Sequence, residues 1–385
     1  MNHIEILENL IALNTSMPPG CNYGETVDYL EPLFKQTGFE TIRINIPPEQ
    51  AEGRDGRVNL VCHRKAQDKP RLIFYAHIDV VPAQGWEAFK PKIENGKIYG
   101  RGAADMKGAI PALLLALDKS KDKPLNYDVS VMITTDEEYS QASQIRYISQ
   151  YLYPVRGTYL FDLDCDFGYV TIASLGDLQM DILVKGKSVH SGLSHLGENA
   201  VEKAYLLMEA LMKLKQEVIQ RKSKVRTHPD TGLDHMVACL NINMIHGGLK
   251  VNIVPNQCTI SIDRRLIPEE NIDEARNEII EILQSVPGVK WKIEREFSSP
   301  TLPPCDDPIT VKLSSILKEV IGEGGEYGEM GSRDLTNIVV NEWSGKEFGL
   351  GIARTESNVH GDNEFVYQKD IENLAEIIYR FLITS

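Results

Sequence analysis

The chain of 385 residues is longer than one hydrophobic core usually serves, so two domains are expected. Its composition, 42% hydrophobic and 25% charged, is that of a globular protein. The formal net charge of −14 argues against nucleic acid or an anionic membrane as a partner, and no stretch approaches the ~18 consecutive apolar residues of a membrane span.

Ile4, Leu7, Leu10 and Ile11 fall at helical spacing, so the N-terminus reads as a helix ending near Asn14 and not as a secretory leader. Pro18-Pro19-Gly20 breaks the chain. A second helix is expected over about 25–36, with Val27, Leu30, Leu33 and Phe34 on one face and Gly38 as the stop. Apolar runs at 59–62, 72–76, 129–134 and 159–161 read as strands buried on both faces, with a helical stretch at 109–117 between the second and third. This alternation predicts an α/β fold, with a mostly parallel central sheet covered by helices on both faces. From about Asp177 the texture changes. A strand at 178–184 that alternates as a half-exposed strand does, a helix at about 200–215, strands at 239–244 and 259–263, and a helix at about 271–284 predict a smaller inserted α+β domain. The expected division is 1–176 and 297–385 for the larger domain and 177–296 for the insert. The basic stretch 222–234 reads as a solvated loop. Cys21, Cys62, Cys165, Cys239, Cys258 and Cys305 are scattered, with no C-x-x-C pair, which implies reduced thiols in a cytoplasm and argues against a sulfur-rich metal site.

Chemistry concentrates where the expected strands end. His77 and Asp79 follow 72–76, Glu137 and Glu138 follow 129–134, and Asp164 follows 159–161. Open parallel sheets place their ligand crevice at that edge. In His77-Ile78-Asp79 two side chains share a face, so His77 offers a ring nitrogen to a metal while Asp79 accepts the other N–H. Taken alone, this pattern is more often a turn histidine with a capping aspartate. The glycine-rich run 100–108 fits neither the dinucleotide nor the phosphate-loop spacing. Within it, Asp105 is placed to cap the following helix or to bridge two cations through both oxygens. Adjacent Glu137 and Glu138 are costly unless a cation or proton relieves them, although an isolated pair is as often a solvated turn. In an extended segment they point to opposite faces, so one can ligate a metal while the other reaches the bound water; we take Glu138 as the ligand and Glu137 as the general base. With Asp164 and His360, the set suffices for two divalent ions and leaves one acid free. Asp105, Glu138 and Asp164 bring three negative charges against four, leaving one for hydroxide. The donor set favours zinc, with cobalt or manganese as substitutes.

With these residues in this order, the chain resembles the di-zinc amidohydrolase and peptidase family of acetylornithine deacetylase, succinyl-diaminopimelate desuccinylase and glutamate carboxypeptidase. The resemblance covers essentially the whole chain. It is carried by Tyr75-Ala76-His77-Ile78-Asp79-Val80-Val81-Pro82, by 99–108 with its Asp-Met-Lys-Gly, and by Thr135-Asp136-Glu137-Glu138. It continues through Gly186-Lys187-Ser188-Val189-His190-Ser191, 252–265 and 360–365. The resemblance implies one metal held by His77, Asp105 and Asp164, and a second held by Asp105, Glu138 and His360. Glu137 would deprotonate the bridging water and pass the proton to the leaving amine. His190 would help stabilise the oxyanion, reaching across a homodimer, and the insert would serve as a lid and dimerisation domain. Arg265 of Asp263-Arg264-Arg265 would bind a substrate carboxylate through a bidentate fork, with Arg264 as the alternative one register away. Asn252 corresponds to a lid residue near the substrate, and Gly331 and Ser332 to a backbone loop at the substrate carboxylate. One departure stands out. Deacylases and carboxypeptidases of this family carry Glu-Pro where this chain has Asp164-Cys165, and aspartate there belongs more to the di- and tripeptidase branches. Asp162 and Asp166 are nearby competitors for the same role.

The expected function is thus a metal-dependent hydrolase that cleaves the amide bond of a small N-acyl amino acid, by metal-bound hydroxide with a glutamate base. A di- or tripeptidase or aminopeptidase of the same family is the alternative that Asp164 suggests. A non-catalytic binding protein on the same fold would lack a ligand or the base, and none is missing here.

Overall fold

The computed structural model describes residues 1–152, 155–333 and 335–384. The chain forms two compact units. One comprises Met1–Ile172, Cys305–Tyr327 and Asp334–Ser385; the other comprises Ala173–Pro304 and Gly328–Arg333. The return expected near 297 falls inside a strand of the second unit, Lys290–Ser299, and Gly331 and Ser332 also belong to that unit. That strand is exposed along most of its length, so it lacks the apolar run by which a buried strand declares itself.

Among the described residues, the first unit is built on an eight-stranded sheet. Its order is Glu40–Asn45, Val58–Arg64, Asp128–Thr134, Arg71–His77, Tyr159–Asp162, Lys346–Gly349, Val170–Ser174 and Glu326–Glu329. Arg71–His77 runs parallel to both its neighbours, and Lys346–Gly349 runs parallel to Tyr159–Asp162. Val58–Arg64, expected among the parallel strands, is antiparallel on both sides. Its link from Glu40–Asn45 holds a short 3-10 turn and no crossover helix, and parallel pairing needs such a crossover.

Alternate residues of the central strands feed two cores, as a sheet covered on both faces requires. Leu72, Phe74 and Ala76 join Val129, Val131 and Ile133 in one core, with the helices His3–Ala12, Tyr23–Gln36, Ala109–Lys119, Pro308–Ile321 and Gln368–Ile383. Ile73 and Tyr75 join Met132 and Leu160 in the other, under Ala142–Ile148 and the π-helical turn Asn337–Glu342. The loops at the C-terminal ends of the parallel strands are therefore anchored by strands that are fixed from both sides.

The second unit has an antiparallel sheet ordered Cys239–Gly247, Gln257–Leu266, Gly176–Lys185 and Lys290–Ser299, with the helices Ala200–Val218 and Ile272–Gln284. Gly176–Lys185 is central and mostly buried, not half exposed as its alternation suggested. The stretch 222–234 is not a plain solvated loop. Lys222–Arg226 is a strand paired antiparallel with His235–Val237. Its charged residues Lys222, Lys224 and Arg226 face solvent while Ser223 and Val225 are buried, so the basic composition masks a period-two strand.

Candidate metal centre and active site

His77 is the last residue of the strand Arg71–His77 and is fully buried. Its Nε2 lies 3.4 Å from Asp105 Oδ1 and 3.5 Å from Asp164 Oδ2. Across the same Asp105 carboxylate, Oδ2 lies 2.9 Å from His360 Nε2, which is 3.3 Å from Glu138 Oε2. The structure thus brings together two groups of candidate ligands, His77–Asp105–Asp164 and Asp105–Glu138–His360, with ligand atoms within 4.8 Å of one another in each. Asp105 is common to both.

Different parts of the chain deliver these groups. Ile78 N donates to Thr134 O at 3.0 Å and Leu163 N to Tyr75 O at 3.1 Å, so the ladder hydrogen bonds continue into the ligand-bearing loops. Gly351 lies against the loop of Asp164, where a Cβ would meet Cys165 O at 2.0 Å, and only glycine fits that approach. Of the two competitors, Asp162 accepts the backbone N–H of Asp164 at 2.8 Å, and Asp166 accepts the Tyr169 hydroxyl at 2.6 Å. His360 stands in the left-handed region at φ 61°, a costly backbone that clusters at functional sites.

Asp79 does more than the expected histidine orientation. His77 Nδ1 meets the Asp79 backbone carbonyl at 3.1 Å, with the Asp79 carboxylate farther off at 3.5 Å. Asp79 Oδ2 instead accepts the Glu138 N–H at 3.0 Å, which ties the first ligand loop to the third. The two glutamates are also separated differently from the expectation. They sit in a turn, not an extended segment, and the turn follows Asp136 with its left-handed φ of 64°. Glu138 enters a ligand group and Glu137 enters neither.

Sequence reasoning missed the support for that turn. Asp136 is fully buried. It accepts Arg54 Nε and Arg57 Nε, each at 2.9 Å, Gln144 Nε2 at 2.9 Å and the Tyr23 hydroxyl at 3.1 Å. Three acids in a row, Asp136-Glu137-Glu138, were the available signal: more negative charge than the ligand groups use implies a cationic partner elsewhere.

The electrostatics favour a bound cation. Burial alone would lower the His77 imidazole, but the carboxylates of Asp105, Asp164 and Asp79 outweigh it and raise it well above its usual range. Asp105 and Glu138 push His360 up to about 10. Burial would raise Asp105, yet the facing imidazoles of His360 and His77 hold it well below the carboxylate range. Burial also raises Glu137 well above that range, with the neighbouring acids Asp164, Glu138 and Asp79 adding to it against His77. His77 Nε2 and Glu138 Oε1 are buried without a hydrogen-bond partner. Orphaned buried polar atoms of this kind call for an ion or a water. Nitrogen and oxygen donors with a shared carboxylate fit a pair of divalent metals.

In the second unit, His190 is exposed and its Nδ1 accepts the Gly192 N–H at 3.1 Å. The neutral ring therefore carries its proton on Nε2, where it is a donor. The Asn252 carbonyl accepts Ser191 N at 3.1 Å, and the Gly331 carbonyl accepts Leu175 N at 2.8 Å. Arg264 is buried and pairs with Glu270, while Arg265 is partly exposed. The two-pronged fork expected of Arg265 is already engaged: Nε and Nη2 bind Asp263 at 2.8 and 2.9 Å, Nη1 meets Ser332 Oγ at 3.0 Å, and Asp177 lies 3.6 Å from Nη2. The i, i+2 spacing of Asp263 and Arg265 on one strand face explains this pairing.

Two groups of candidate metal ligands share one carboxylate, with Glu137 outside both, at the C-terminal edge of an α/β sheet, an arrangement suited to metal-assisted hydrolysis. Residues 73–384 match the profile of peptidase family M20/M25/M40, and the chain belongs to that family. It is 25% identical to the succinyl-diaminopimelate desuccinylase of Alkalilimnicola ehrlichii, over 97% of this chain and 96% of that one. Its fold is similar to an M20 family metallo-carboxypeptidase from Sulfolobus solfataricus, with a TM-score of 0.78 and 18% identity over 99% of this chain and 98% of that one. It is also similar to an aminopeptidase from Bacillus cereus, with a TM-score of 0.77 and 18% identity over 99% and 97% of the two chains.

Proposed function

We propose that the protein hydrolyses the amide bond of small N-acyl amino acids, with the metal centre and Glu137 as its catalytic core. The observation that carries this reading is the sharing of Asp105 between the two ligand groups, with Glu137 in neither but within reach of the charges of His77, Asp164 and Glu138. His77, Asp105 and Asp164 would hold one ion, and Asp105, Glu138 and His360 the other. Zinc suits these donors, and cobalt or manganese would substitute. When bound, the ions polarise the scissile carbonyl and acidify a water. Glu137 takes the proton from the attacking water and passes it to the leaving amine. Burial raises its affinity for that proton, as the task requires. Asp79 keeps His77 and the Glu138 loop in place through its carbonyl and carboxylate.

From the second unit, His190 is suited by its Nε2 proton to donate to a developing oxyanion. Arg265, Asn252, Gly331 and Ser332 are proposed as substrate contacts. We also propose a homodimer, supported by Leu249 and Val251, apolar side chains exposed at 97% and 101% in the second unit. A reducing, cytoplasmic location is supported by six cysteines of which none is joined to another. Among the described residues, no helix is long and apolar enough to cross a membrane.

A peptidase reading is favoured by one feature, Asp164 in place of glutamate. The test is to strip the metal, reload the protein with zinc or cobalt, and assay N-succinyl and N-acetyl diamino acids beside di- and tripeptides with free and blocked α-amines. Turnover of the N-acyl amino acids supports the deacylase reading. Turnover confined to substrates with a free α-amine overturns it in favour of a peptidase.

A further inference from the structure

Glu364 and Arg101 belong to neither ligand group, yet together they grip the backbone of a ligand in each. Glu364 is fully buried, four residues beyond His360. Its Oε1 accepts the N–H groups of Ala104 at 2.9 Å and Asp105 at 3.1 Å. Its Oε2 accepts the Gly102 N–H at 3.0 Å and Arg101 Nη1 at 2.6 Å. Arg101 Nη2 donates to the carbonyls of His360 and Gly361, each at 3.1 Å. Arg101 is also buried.

The segment 101–108 consists of turns, so no helix or strand ladder of its own fixes Asp105. Its converging N–H groups form a nest that a carboxylate fills. Meanwhile Asp105, Glu138, Asp164 and Glu137 crowd one another, and their repulsion would splay the loops apart. Charge-assisted hydrogen bonds to a buried pair are strong enough to resist this.

We propose that the Arg101–Glu364 pair is a preformed cross-tie that sets Asp105 against His360: Glu364 governs affinity at both ions through the shared Asp105, and Arg101 governs it at the ion held by Asp105, Glu138 and His360 through the His360 carbonyl. Both are positioning residues, and the inference rests on the ligand reading above. Arg101→Lys keeps a positive charge but cannot reach Glu364 and two carbonyls together. Glu364→Gln turns an amide NH2 toward backbone donors and disturbs the nest of Asp105, the shared ligand.

Metal-stripped full-length protein is titrated with Zn2+ against a chromophoric chelator, with thermal melts to verify folding. Wild type is expected to bind two equivalents. Arg101→Lys should weaken one equivalent by roughly 10–100-fold and leave the other unchanged, and Glu364→Gln should weaken both. Folded variants that bind both equivalents as wild type does overturn the cross-tie. Wild type that binds fewer than two equivalents overturns the ligand reading itself, and the cross-tie with it. Hydrogen exchange on metal-stripped wild type supplies an arm that needs no variant. Slow exchange at the amides of Gly102, Ala104 and Asp105 is expected, and exchange at the rate of an open loop overturns the proposal.

Discussion

Asp105 faces an imidazole with each of its oxygens, and the two histidines come from segments separated by most of the chain. Glu137 stands apart from this sharing, which makes it the cleanest residue to test. Glu137→Gln keeps the shape and removes the carboxylate proposed as the base. We expect kcat to fall by roughly 10²–10⁴-fold while two equivalents of zinc still bind. Full activity in that variant would remove Glu137 from the chemistry. A second residue-scale effect lies outside the ligand groups. His63 is buried, with Nδ1 2.9 Å from Ser130 Oγ and Nε2 3.1 Å from the Tyr151 carbonyl. Burial lowers its pKa from the usual 6.5, against the Tyr151 hydrogen bond, which raises it. Below pH 6.5 the unfolded chain binds a proton that the folded chain resists. His63 therefore contributes stability that is present above that pH and is lost as pH falls. Denaturant unfolding at several pH values should show a shallower acid loss in His63→Gln; identical slopes would contradict this. At this scale the sequence was informative where chemistry demands an unusual residue, as at His77 or Asp105. It said little of Asp136 beyond the run of three acids, and nothing of the partners of Asp136 and Glu364 that are distant in the chain, Tyr23, Arg54, Arg57 and Arg101.

At the scale of elements, legibility followed burial. Arg71–His77 and Asp128–Thr134 were readable because a strand covered on both faces is apolar at most of its interior positions, as Leu72–Ala76 and Val131–Ile133 are. Glu40–Asn45 and Lys290–Ser299 were not, because edge strands carry polar side chains and resemble loops. The hairpin of Lys222–Arg226 and His235–Val237 was obscured by its charged outer face. The elements beyond 305 went unassigned, although Pro308–Ile321 and Gln368–Ile383 bury regular apolar faces. Their residues complete a core whose other parts lie early in the chain. Caps were legible in principle. Asn199 accepts the N–H groups of Val201 and Glu202 at 3.0 and 3.3 Å, opening Ala200–Val218. Asn199→Ala should cost about 1 kcal/mol in denaturant unfolding of the second unit. No measurable loss would mean that packing alone fixes this helix start.

For the whole molecule, a chain with net charge −14 concentrates several of its acids around one buried histidine. Unrelieved, that arrangement costs stability; a pair of divalent ions would relieve it and would supply Lewis-acid chemistry for hydrolysis. Removal of metal should therefore lower both activity and thermal stability, and zinc should restore them together. The most direct test is anomalous scattering from crystals of the zinc-loaded protein. The account predicts two zinc peaks about 3.5–4 Å apart, both within bonding reach of Asp105. A single peak, or peaks that do not share Asp105, would contradict it.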